Sequence, residues 1–149
     1  MDLVINAVVW ATAATVLSQA IAIGIMWWLG LPPKRLPHEI EDNQNTAVGA
    51  TFFIIALITS TFIGVMTAAP EPADSTLGDL AWIGGGLILA FLYTFLAFWV
   101  AHRVMDPLEG ENVYTYIKRE IILEQNAALA FLLGGLMVAP FISVASQII

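Results

Sequence analysis

Four long apolar runs dominate the chain: Leu3–Leu31, Thr46–Ala69, Leu80–Ala101 and Ala127–Ser146, none of which contains Asp, Glu, Lys or Arg. Each is long enough to cross a bilayer core, which takes roughly 20 residues of helix. Strands of a closed barrel would be shorter and would alternate polar with apolar positions, so these runs are predicted to be helices. The flanking residues agree. Trp27 and Trp28 stand where an interfacial aromatic belt belongs, Leu31-Pro32-Pro33 stops the first helix, and Trp82 and Trp99 mark the two ends of the third. Between the second and third runs, Pro70–Asp79 reads as a turn, with the third helix beginning near Asp79. In the last polar loop Val113, Tyr116, Ile117, Glu120 and Ile121 recur at helical spacing, which predicts an interfacial helix over 111–125 or an extension of the fourth span. Pro140 is expected to kink the fourth helix or loosen its turn near Leu136.

Small and polar positions inside the spans indicate which faces meet protein. Thr12, Thr15 and Gln19 share one face of the first helix beside a row of Ala14, Ser18 and Ala22, and the polar face is expected to pack on protein. Ala56, Ser60 and Gly64 form a second small-residue row, and Gly135, Ala139 and Ser143 a third. Gly84-Gly85-Gly86 permits close backbone approach in the third helix. Gln19 is the most polar group near mid-depth. An interhelical hydrogen bond is its plain reading, and a hydrated path lined by Thr12, Thr15 and Gln19 the sharper one.

One short stretch occurs twice. Glu39-Ile40 followed by Gln44-Asn45-Thr46-Ala47 returns 81 residues later as Glu120-Ile121 followed by Gln125-Asn126-Ala127-Ala128, each time just before an apolar run. The pattern reads as a duplication within a single transmembrane domain over 1–149, with repeat one about 3–69 and repeat two about 80–149. Each unit contributes two helices, so the second copy re-enters in the orientation of the first, about an axis along the membrane normal. The predicted fold class is all-α: an integral membrane four-helix bundle built from two parallel two-helix repeats. Asn45 and Asn126 are natural N-caps of the second and fourth helices. Because a helix start also offers free amides and partial positive charge, Gln44, Asn45, Thr46, Gln125 and Asn126 are a candidate contact for an anion, a lipid headgroup or a partner, with capping alone the simpler use. Glu39 and Glu120 are expected to pair with local bases or water.

Composition fixes the class: 59% of the 149 residues are hydrophobic and 11% charged, as in membrane proteins. All five bases lie in two loops, Lys34 and Arg35 in the first and Arg103, Lys118 and Arg119 in the last. By the positive-inside rule both loops face the cytoplasm and both termini lie on the non-cytoplasmic side of the cell's inner membrane. The start Met1-Asp2-Leu3 has no basic region, so the first run reads as a retained helix rather than a signal peptide. A net charge of −7 with no basic cluster argues against nucleic acid, and the absence of cysteine removes disulfides and thiolate chemistry. The acids lie in short loops expected to be solvated. No nucleophile and base can be paired, so no catalytic residue, metal set or cofactor is expected. His38 reads as a solvated loop residue and His102 as an interfacial anchor, with ligation of a pigment the sharper alternative.

The two helix starts, Asn45-Thr46-Ala47-Val48 and Asn126-Ala127-Ala128-Leu129, together with the tandem two-helix layout, resemble the small bacterial inner-membrane proteins of the YjfL type, a domain of unknown function. The resemblance covers nearly the whole chain, with Ala127 where the first copy has threonine. It implies an inner-membrane protein without assigned activity, and it transfers no catalytic residue. The expected function is a non-enzymatic membrane scaffold or accessory subunit. Its surroundings would be membrane lipids, further copies of itself or a larger membrane complex, and a cytoplasmic protein partner at the two basic loops. A homo-oligomeric channel or small-solute transporter is the alternative, and a subunit of a pigment or electron-transfer complex stands behind both.

Overall fold

A computed structural model describes residues 2–68, 76–105 and 107–148. Among these the chain is all-helical: α1 (Asp2–Trp28), α2 (Thr46–Thr67), α3 (Thr76–Val104), α4 (Val113–Lys118) and α5 (Ala127–Ile148), with single π-helical turns at His38–Asp42 and Arg119–Leu123. Helices α1, α2, α3 and α5 are long and apolar enough to cross a membrane. The third helix starts at Thr76, ahead of the expected Asp79. The helix expected over 111–125 is present in two pieces, α4 and the second π-turn. Pro140 sits inside α5, which continues through it as one helix. Of the turn expected over Pro70–Asp79, residues 70–75 lie outside the described residues.

Helix α1 ends before the prolines. Gly30 takes φ +100°, and the amide of Leu31 reaches back to the Met26 carbonyl at 2.9 Å. This is the cap that a left-handed glycine makes possible, with the buried Leu31 closing it from the apolar side.

The helices α2 and α5 form the central pair, with α1 against α2 and α3 against α5; α3 also meets α2, whereas among the described residues α1 approaches neither α3 nor α5. In one half of the bundle Phe141 is gripped edge-on by Phe62 and Phe91, at ring separations of 5.4 and 5.1 Å. At the other end a second core gathers Met26, Leu31, Val48, Ile117, Ile121 and Leu129, so the loops are packed into the bundle rather than laid over it. Lipid tails are as apolar as leucine, so what holds these helices together is close packing, and the smallest side chains decide how near they come.

That rule sorts the small-residue rows. Ala14, Ser18 and Ala22 are all buried. The polar face beside them is not: Thr12, Thr15 and Gln19 point outward, and the two threonine hydroxyls donate to the carbonyls of Val8 and Ala11 one turn back, both at 2.8 Å. The expectation that this face packs on protein therefore fails within one chain, because the alanine row brings α1 closer to α2. In the second row Ala56 is buried and Gly64 exposed; in the third, Gly135, Ala139 and Ser143 are all exposed. The contact that needs a glycine is at its neighbour. A β-carbon at Gly134 would lie 2.7 Å from Cδ1 and 2.8 Å from Cγ2 of Ile54, whereas one at Gly84 or Gly85 would meet nothing within 4 Å. A close approach that requires glycine is therefore made at Gly134, between α2 and α5, while Gly86, the third of the triple glycine, is buried.

Candidate functional site

The twice-occurring stretch forms the most polar part of the described structure, at the end of the bundle that carries the bases. In each copy a π-turn closes through a bond across five residues, from the amide of Asn43 to the His38 carbonyl (3.0 Å) and from Glu124 to Arg119 (2.9 Å). The next residue, Gln44 or Gln125, takes a left-handed conformation with φ 49° or 53°. The amide of Asn45 then returns to the Glu39 carbonyl at 2.9 Å, and that of Asn126 to Glu120 at 2.8 Å. The result is a widened form of the cap that usually ends on glycine, here built on glutamine. Each asparagine immediately starts the next helix, its side-chain oxygen accepting from Val48 or from Leu129 at 3.1 Å. One residue therefore ends one helical turn and begins another, which is why the polar motif needs only a few positions.

Beyond the cap, the two copies differ. The Asn45 side chain is 1% exposed, and its amide nitrogen donates across the bundle to the carbonyls of Ile121 and Ile122, at 3.2 and 3.3 Å. The Asn126 amide stays within its own unit and donates to the Glu120 carboxylate at 2.7 Å. Gln44, Thr46 and Gln125 are exposed around these caps.

Glu39 and Glu120, expected in solvated loops, are buried at 6% and 8% exposure. A buried carboxylate needs partners, and each has them. Glu39 accepts from Asn43 at 3.0 Å and lies 3.9 Å from Arg35. Glu120 accepts from Asn126 and, at 2.8 Å, from Arg119. Arg119 is the hub: its fork meets both oxygens of Glu111 at 3.0 Å, and it also bonds Glu124. The hydrogen bonds from Arg119 hold the Glu111 carboxyl below its usual value, and those same bonds to Glu111 and Glu124 raise the Arg119 guanidinium. Arg119 also lies over the Tyr116 ring at 5.5 Å; burial, followed by the Glu120 charge, pushes the Tyr116 phenol up.

The chain matches no family model, no curated protein and no solved structure. Among the described residues no three of His, Asp and Glu converge as a metal-ligating group. His38 is exposed, with Nδ1 2.5 Å from Asp42. His102 corrects its expected role as an interfacial anchor. It is buried edge-on against Tyr116 at 5.4 Å, and its Nε2 has no hydrogen-bond partner among the described residues. An amphipathic anchor would keep its polar tip wet; here the Tyr116 packing has drawn the ring inside.

The arrangement fastens each loop to the bundle through paired charges and caps. Glu39, Glu111, Glu120 and Glu124 are each engaged by arginine or asparagine, and Asp42 by His38. The cross-bundle bond from Asn45 was not legible in the sequence, since both asparagines look like plain caps; the buried glutamates had a signal in their exact recurrence at one offset.

Proposed function

We propose that the chain is a non-enzymatic scaffold or accessory subunit of the inner membrane, made of two parallel two-helix repeats and assembled side by side with further copies or with a larger membrane complex. The observation that carries this reading is the unused row Gly135, Ala139 and Ser143 on the outer face of α5. Small residues at this spacing let another helix approach closely, and among the described residues all three are exposed, with nothing within 4 Å of a β-carbon at Gly135. The outward Thr12, Thr15 and Gln19 support it, because an amide at bilayer depth gains a partner only from protein. The resemblance to the YjfL type is compatible with this role. With both basic loops on the cytoplasmic side, both termini lie outside and the clasped loops offer their exposed residues to a cytoplasmic partner.

The test is the mass of the assembly in mild detergent. Multiples of 16.1 kDa, or co-purifying membrane proteins, are expected for the wild type, with loss on Gly135→Leu or Ala139→Leu. A monomer with no co-purifying protein, unchanged by either substitution, overturns the reading. Solute flux in proteoliposomes, abolished by Gln19→Leu, would instead favour the oligomeric channel.

A further inference from the structure

Between α1 and α3, which do not approach each other, lies a cleft of about 260 Å³ floored by α2 and α5. Its walls include Ile25, Ile54, Phe95, Phe98, Leu133 and Met137, and the lining is almost wholly apolar. The stretch of α5 beneath it, from Ala130 to Met137, is about 10 Å long at 1.5 Å per residue. The cleft therefore runs from the basic end of the bundle into the depth of the bilayer. Its volume would hold about nine groups of water size, at roughly 30 Å³ each, but a site this apolar does not hold water. A methylene chain has the required polarity.

The mouth carries a charge. Ile117 lines the cleft, and the next residue, Lys118, lies over the turn at Gly30, its Nζ 3.2 Å from where a β-carbon on that glycine would stand. Among the described residues Lys118 makes no ion pair, while Arg35 and Arg119 are both engaged by glutamates. The adjacent rim is tied down. Tyr114 packs edge-on against Trp28 at 4.8 Å and donates to its carbonyl at 3.0 Å, holding the end of α1 beside α4. An apolar slot of acyl width beneath an uncommitted ammonium group, at the depth where headgroups lie, is complementary to one class of molecule.

We propose that the cleft holds one acyl chain of an anionic phospholipid from the leaflet on the basic side, with its phosphate at Lys118. The site is separate from the outer face of α5 on which the proposed assembly rests, so either can fail alone.

The test uses the whole chain in mild detergent, incubated with equal amounts of phosphatidylglycerol and phosphatidylethanolamine and read by native mass spectrometry. One phospholipid per chain is expected to survive delipidating washes, with phosphatidylglycerol favoured at least threefold. Thr51→Leu narrows the cleft from its α2 floor and Thr94→Leu from its α3 wall; each hydroxyl bonds only its own helix, so neither leaves a partner stranded. Both should lower retention at least tenfold, whereas Lys118→Gln should keep the lipid and lose the headgroup preference. On the wild type, phosphatidylglycerol with a photoreactive acyl chain should label near Phe95 and Met137. Absence of a retained lipid, equal retention in both leucine variants, an unaltered preference in Lys118→Gln, or labelling confined to outward residues such as Ile88 and Leu92 each overturns the proposal.

Discussion

Replacing Asn45 by alanine should cost about twice as much as replacing Asn126, although the two occupy equivalent places in the sequence. Each loses an N-cap bond, worth about 1 kcal/mol. At Asn45 the substitution also strips a donor from the carbonyls of Ile121 and Ile122, beside an Ile121 side chain that is fully buried. Leaving buried acceptors short of a donor costs about 1–3 kcal/mol, so the total is about 2–4 kcal/mol. At Asn126 the lost donor served Glu120, which keeps Arg119, and the total should stay at about 1–2 kcal/mol. Asn45→Asp separates the terms: it keeps the capping oxygen but turns a donor into an acceptor facing two carbonyls, and should be as damaging as alanine. Reversible unfolding in mixed micelles, driven by the fraction of denaturing detergent and followed by far-ultraviolet circular dichroism, measures each variant. Equal losses for Asn45→Ala and Asn126→Ala, within about 0.5 kcal/mol, would refute the role given to the cross-bundle bond.

Two further outcomes follow from the packing and the charges. Gly134→Ala should destabilise by about 1–3 kcal/mol through its clash with Ile54, and combining it with Ile54→Ala should cost about 1 kcal/mol or more below the sum of the two single changes, measured by the same unfolding cycle. Because the Glu111 carboxyl is held below its usual value of 4.5 by Arg119, its contribution is complete above that pH and is lost as pH falls through the lower folded value. The melting temperatures of wild type and Glu111→Gln should therefore differ most near neutrality and converge in acid; a gap that widens on acidification would reverse the assignment.

The exposed face of α5 and the buried face of α1 show how the same sequence signal leads to opposite places. Ala14, Ser18 and Ala22 and Gly135, Ala139 and Ser143 are both rows of small residues at four-residue spacing, yet the first is inside and the second outside. In a water-soluble helix the polar stripe would reveal the outer side. In a span that is apolar all round, lipid-facing and protein-facing positions carry the same residue types, so rotation about the helix axis leaves little trace.

What the sequence by itself determined is what depends on near neighbours and on length: four helices long enough to span, and the asparagines that start α2 and α5. Each follows from backbone groups that must be satisfied within a few residues or within the bilayer's thickness. Tertiary structure alone decided that Gly134 bears a close approach between α2 and α5, that Glu39, Glu120 and His102 are buried, and that Asn45 reaches across to the other unit while Asn126 does not. Those outcomes rest on which groups from distant parts of the chain arrive at one place. Two stretches that share Glu-Ile and Gln-Asn at one offset acquire different bonds because the second loop lies over the start of α2 and, among the described residues, the first does not lie over α5.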